Sequence, residues 1–249
     1  MLFEAGQRPD RHAIATLAGE SAFGISLDPA NESNGGRKNG GIGGGYGTAG
    51  VWLELIANGL TFDLVGLAPG SAAEAPSGGQ AFGLPAQFEP ALLEAITLRP
   101  GPHLAEGERM LPVVRSLAWL AARLADLPNT RAVAWHPARC WCSPRYFRDS
   151  VLRWIEGGVF PGLGLATLAP MPDGGMQSQG LALFTGQELR LEPELTVDRA
   201  AGAKIALRLM HWLVENGRVE AKERVPGPDG QILRLEPSTN RRFVRVWRG

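Results

Sequence analysis

Val51-Trp52-Leu53-Glu54-Leu55-Ile56-Ala57-Asn58-Gly59-Leu60-Thr61-Phe62-Asp63-Leu64-Val65 is the stretch on which the reading of the fold turns. Two runs that alternate apolar with polar residues flank Asn-Gly, which supplies the two positive-φ positions of a type I′ turn and so matches the twist of paired strands. A hairpin in that register sets Leu55 against Phe62 and Leu53 against Leu64, giving one wholly apolar face. Glu54 and Asp63 then face each other on the second side. A helix over Val51–Ala57 would waste the alternation.

Outward from the hairpin, the chain mixes short strands with longer amphipathic helices. Ile14–Leu17 and Phe23–Leu27 read as short strands. Asn31–Gly50 is almost all Gly, Asn and small residues, a composition that cannot offset the entropy of ordering it, so a mobile loop is expected there. Residues 69–104, rich in Pro, Gly and Ala, contain one short predicted helix, Pro90–Ile96, and mark a boundary between halves. The expected organisation is a β-rich part, 1–103, and an α+β part, 104–249, packed as one globular unit.

Helical spacing of Val113, Leu117, Leu120 and Leu124 predicts a helix over Arg109–Asp126, with Pro112 tolerated in its first turn. A strand, Ala132–Trp135, follows. The loop His136–Cys142 leads to Ser143-Pro144, an N-cap and first-turn proline that open a helix to Gly157. Leu163–Leu168 reads as a strand and Gly180–Leu189 as a second hairpin turning at Thr185-Gly186. The longest predicted helix, Thr196–Asn216, takes Thr196 as cap and Gly217 as terminator. Val219–Val225 and Ile232–Leu235 form a hairpin around Pro226–Gly230, and Arg242–Trp247 is the last strand. These elements imply an α+β fold, helices packed on one face of mainly antiparallel sheet. Leu55–Leu64 aligns loosely with Ala182–Leu191, which raises the possibility of two similar halves.

Composition narrows the function classes. With 44% apolar and 20% charged residues the chain has the makeup of a soluble globular protein. Zero net charge provides no field toward nucleic acid or an acidic membrane. No apolar run reaches the length of a membrane span, and Met1-Leu2-Phe3-Glu4 lacks the basic start of a signal peptide. Two cysteines one residue apart form no disulfide framework. Together these imply a cytoplasmic protein.

Four groups of residues invite chemistry. His136, Cys140 and Cys142 place soft ligands within seven residues, but zinc wants four ligands at wider Cys spacing, so no metal is assigned. Cys142, just ahead of a helix N-terminus that lowers a thiol pKa, is a candidate nucleophile, with Cys140 beside it and His136 as base. Glu54 with Asp63, and Glu188 in the second predicted hairpin, are candidate binding carboxylates, against a reading as solvated outer-face residues. Gly45–Gly50 matches G-x-G-x-x-G, yet a preceding strand and following helix are both missing, so no nucleotide cofactor is implied. Arg242, Arg245 and Trp247 lie in a tail that interleaves arginines with aromatics; such a run either meets an anionic partner or protects an edge strand.

The block from about 109 to 215 resembles a bacterial family of uncharacterised domains. The matching features are the strand ending at Trp135, the helix start Ser143-Pro144-Arg145-Tyr146-Phe147, a strand opened by Pro161, and Gly180–Leu189. The resemblance implies a fold and carries no activity. With no complete catalytic constellation, the expectation is a binding or assembly module with a protein partner or a second copy. A small thiol-dependent hydrolase or transferase is the alternative.

Overall fold

The computed structural model describes residues 1–19, 25–27, 51–76 and 78–249. The expected loop 31–50, with Arg37, Lys38 and the glycine motif, lies outside them. Helices and three mostly antiparallel sheets make up an α+β fold. The chain forms two compact units, Met1–Ser77 with Pro85–Val133, and Gly78–Leu84 with Ala134–Gly249. The helix that follows residue 104 therefore belongs to the first unit.

In the first unit, β1 (Leu2–Phe3) pairs antiparallel with β6 (Glu94–Ala95) and with the start of β8 (Thr130–Trp135). Leu2 and Phe3 are fully buried. A second sheet runs β2 (Ile25–Leu27), β3 (Val51–Ala57), β4 (Leu60–Leu67), β7 (Thr97–Pro100). The β3–β4 hairpin has the expected register: Leu53 faces Leu64, Glu54 faces Asp63 and Leu55 faces Phe62. Asn58 and Gly59 adopt φ of 53° and 74°, the left-handed pair a type I′ turn requires. Helix α2 (Leu111–Leu124) packs on β4 and β7. It buries Val113, Leu120 and Leu124, as the spacing predicts, whereas Leu117 is only half-buried.

Two local readings change here. Ile14–Leu17 is part of helix α1 (Arg11–Gly19), opened by Asp10, whose carboxylate accepts from Ala13 N–H at 2.8 Å. The segment is too short for a period of two to be told from one of 3.6, and the cap decides it. Pro90–Leu92 is a single 3-10 turn, and Glu94–Ala95 leaves it to pair with β1.

The second unit is built on a six-stranded sheet. Its order is β10 (Thr167–Pro170), β11 (Met176–Gln179), β12 (Glu188–Leu191), β15 (Phe243–Arg248), β14 (Ile232–Pro237), β13 (Glu223–Pro226). All neighbours are antiparallel except β12 and β15, which run parallel. One face carries Leu189, Leu191, Val225, Leu233, Leu235, Val244 and Val246, all buried, and helix α5 (Arg199–Asn216) packs on β12. Beside this sheet, β5 (Gln80–Phe82) pairs parallel with β9 (Cys140–Cys142). Close approach is possible because Gly79 has no side chain; a Cβ there would lie 1.3 Å from the Arg139 carbonyl oxygen.

Helix α3 (Pro144–Ile155) opens as predicted: Ser143 Oγ accepts from Tyr146 N–H at 3.3 Å and Pro144 takes the first turn. Phe147, Val151 and Trp154 are its buried stripe. Three expectations fail in this unit. The strand after Pro161 begins only at Thr167, since residues 161–165 are occupied by turns. Asp198, not Thr196, caps α5, accepting from Ala200 and Ala201 N–H, while Thr196 Oγ1 donates to the Gly174 and Pro193 carbonyls. Finally, Ala182–Thr185 is a helical turn (α4) ended by Gly186 at φ 76°, not the arm of a hairpin. The sequence correspondence between Leu55–Leu64 and Ala182–Leu191 is thus not a structural one, because Asn58-Gly59 joins two strands and Thr185-Gly186 joins a helix to a strand.

Candidate functional site

The thiol loop is assembled from β9, with both sulfur atoms turned inward. Cys140 and Cys142 are free and buried, and Cys140 Sγ donates to the Gly164 carbonyl at 3.1 Å. The hydrogen bond to Cys140, then burial, push the Cys142 thiol far above the ordinary thiol range. A nearby helix N-terminus favours thiolate, as the sequence suggested, but desolvation at a fully buried sulfur outweighs it. His136 is exposed on the turn that precedes β9. The pattern His136, Cys140, Cys142 thus separates into one wet imidazole and two buried thiols. Among the described residues no cluster of three or more His, Cys, Asp or Glu could hold a metal ion.

Of the candidate carboxylates, Asp63 and Glu188 have partners within the fold. Asp63 is buried rather than solvated, because β7 covers that side of β4 and brings Arg99 Nη2 within 3.4 Å of it. Glu54 lies opposite Asp63 on β3 and is half-buried. Glu188 is more fully committed. Its oxygens accept from the N–H groups of Gly180 (2.9 Å), Leu181 (3.2 Å) and Ala182 (3.2 Å), and from the Ser178 hydroxyl. These are the orphan donors at the start of α4, so Glu188 serves as a cap delivered from the neighbouring strand.

The C-terminal run differs most from its sequence reading. β15 is not an edge: it is bonded on one side to β12 and on the other to β14. Edge protection falls to β13, with Lys222, Arg224 and Pro226, and to β10, whose Leu168 carbonyl accepts from Gln80 Nε2 at 2.6 Å. The arginines of β15 must therefore be explained by the face they occupy. Val244 and Val246 point into the core, so Phe243, Arg245 and Trp247 take the outer face.

Cross-strand register completes that face. Gln177, Arg190, Arg245 and Glu236 form one row across β11, β12, β15 and β14; Trp247, Arg234 and Arg224 form a second across β15, β14 and β13. Trp247 is held by two guanidinium groups, Arg245 at 4.9 Å and Arg234 at 5.2 Å from its ring centroid. Arg245 Nε donates to Glu192 at 2.7 Å, which raises the arginine's pKa further above its ordinary value. Arg190 pairs with Asp173 and lies 3.6 Å from Glu192, and Arg234 and Lys222 lie 3.3 and 3.1 Å from Glu236. Ile232, 49% exposed, continues the outer row of β14. Arg242 does not join them; it sits exposed in the turn before β15, its N–H on Asn240 Oδ1.

The structure thus unites Arg245 and Trp247, leaves out Arg242, and adds Arg190, Glu192, Arg234 and Glu236. Alternation of Leu with charged residues in Leu189–Glu192 and Leu233–Glu236 is the sequence signal that would have found these. The outer face is mixed in sign, with Trp247 against two guanidinium groups and Arg190, Arg234 and Arg245 paired to carboxylates. No helix among the described residues is long and apolar enough to cross a membrane. Comparison with models of known families, with curated proteins and with solved structures gives no match.

Proposed function

We propose that the chain is a cytoplasmic, non-enzymatic binding or assembly module whose contact surface is the outer face of the six-stranded sheet. The observation that carries the reading is Trp247 lying between Arg234 and Arg245 on a sheet whose other face is already core. Trp and Arg dominate the energetics of protein interfaces, because each offers large contact area with a polar handle. Preorganisation supports the same view: ion pairs and cation–π contacts fix the arginines, so little side-chain entropy is left to lose on docking. Nucleic acid is disfavoured, since Asp173, Glu192 and Glu236 are interleaved with the bases that would meet phosphate. The alternative of a thiol-dependent hydrolase or transferase has the burial of Cys140 and Cys142 against it.

The test compares wild type, Trp247→Ala and Cys142→Ser for self-association and for capture of protein from native lysate, with thermal melts as folding controls. The reading expects Trp247→Ala to lose the interaction and Cys142→Ser to keep it. Equal behaviour of wild type and Trp247→Ala in every assay would sink it.

A further inference from the structure

Resting on that reading, we infer that the occupant of the outer face is a different protein that presents an acidic side chain beside an apolar one, received by Arg224, Arg234 and Ile232. Arg224 lies directly opposite Arg234, and Arg234 directly opposite Trp247, so the three form one row across β13, β14 and β15. Like charges opposite each other on neighbouring strands destabilise a sheet. Little within the chain offsets this pair. Glu236 is 3.3 Å from Arg234 but is shared with Lys222 at 3.1 Å, and Arg224 has no carboxylate partner among the described residues. Edge protection asks for a charge at position 224, not for this one: a glutamate there would guard the edge as well and would pair with Arg234. A carboxylate from outside the chain, set over the two guanidinium groups, supplies what the sheet lacks.

The rest of the face has the same imbalance. Glu192 is buried and bonded to Arg245, which leaves Asp173 and Glu236 against Lys222, Arg190, Arg224, Arg234 and Arg245. A net basic surface selects an acidic partner and speeds the encounter with it. Two residues along the strands from the arginine row, Pro226 faces Ile232 on the same side of the sheet, and both are exposed. The two rows lie about 7 Å apart, the rise of two extended residues, so an extended segment with an acid at one position and an apolar residue two places on meets both. A phosphate chain would use the arginines but leave Pro226 and Ile232 without a partner, which is why a protein segment is favoured over nucleic acid.

Fluorescence anisotropy with the full chain tests the inference, using a fluorescein-labelled peptide of Glu-Ser-Leu-Ser repeats, its Gln-Ser-Leu-Ser counterpart, and labelled oligothymidylate. Wild type should bind the glutamate peptide saturably, at least about tenfold more tightly than the glutamine peptide, and less tightly as salt is added. Arg224→Glu gives Arg234 a carboxylate from its own chain, so it should weaken peptide binding at least about tenfold and yet melt no lower than wild type. Ile232→Ser should weaken binding severalfold and leave its salt dependence unchanged, since it removes apolar contact alone. Failure of the glutamate peptide to saturate, or equal affinity for the glutamine peptide, overturns the inference. So does either variant binding as wild type, a lower melt for Arg224→Glu, or oligothymidylate bound more tightly than the peptide. If the peptide fails while wild type captures a protein that Trp247→Ala does not, the outer face survives as a binding surface and only the partner's chemistry is wrong.

Discussion

Glu188→Ala provides the sharpest test of which carboxylates are structural. In the folded chain this side chain accepts three backbone N–H groups at 2.9–3.2 Å, and the Ser178 hydroxyl as well. Two of the donors belong to buried residues, Gly180 and Leu181, which water does not reach. An unsatisfied buried donor costs about 1–3 kcal/mol, and bonds to a charged acceptor lie toward the top of that range. The truncation should therefore destabilise the protein by at least about 3 kcal/mol, before counting the lost acceptor for Ser178. For a chain of this size that corresponds to a fall in melting temperature of roughly 6–12 °C. Glu188→Gln keeps one carbonyl acceptor but turns an amide donor toward the N–H groups, so it should fall between the two. Urea titration followed by far-UV circular dichroism measures all three proteins. A Glu188→Ala protein within about 0.5 kcal/mol of wild type, the range of an ordinary surface change, would refute the reasoning and return Glu188 to the list of binding residues.

The α-amino group of Met1 is buried, donates to the Ile96 carbonyl at 2.9 Å, and has its pKa lowered by that burial from 8.0 to about 5. Between those values the unfolded chain binds a proton that the folded chain does not, so stability should fall as pH drops from 8 to 5. The loss is up to about 4 kcal/mol at 1.36 kcal/mol per pKa unit, and acetylating the amino group should flatten the slope; equal slopes with and without acetylation would contradict this. Native Cys140 and Cys142 should resist alkylation at pH 8 until denaturant is added, whereas reaction at the rate of free cysteine would show that the sulfurs are reached. Gly59→Ala meets no atom within 4 Å but must hold φ at +74°, so its melt should report a loss of about 1–2 kcal/mol; a neutral result would remove the type I′ turn.

What was legible in the sequence was local. The 51–65 hairpin could be read down to its register because Asn58-Gly59 fixes the turn and alternation fixes the faces. Ser143-Pro144 announced α3 for the same reason, a cap and a first-turn residue lying next to each other. Sheet order was not legible, since nothing near Arg245 says that β12 will pair with β15 in parallel, 53 residues away at Glu192 and Arg245. An arginine-rich strand therefore looked like an edge and proved interior. Glu188 misled in a related way: its partners are backbone N–H groups, which carry no side-chain signature. Cys142 shows the limit of a helix-dipole argument made without burial, for the sequence shows the helix start and not the packing around the sulfur.

Hydroxyl-radical footprinting of the full chain at low and high concentration, and in native lysate, tests the central claim most directly, because it reads side-chain burial on the outer face itself. The account predicts that Trp247 and Ile232 lose reactivity when the protein is concentrated or placed with its partners, while Trp52, 48% exposed on the other unit, serves as an unchanged reference. Trp247 and Ile232 reacting equally in all three conditions would contradict it.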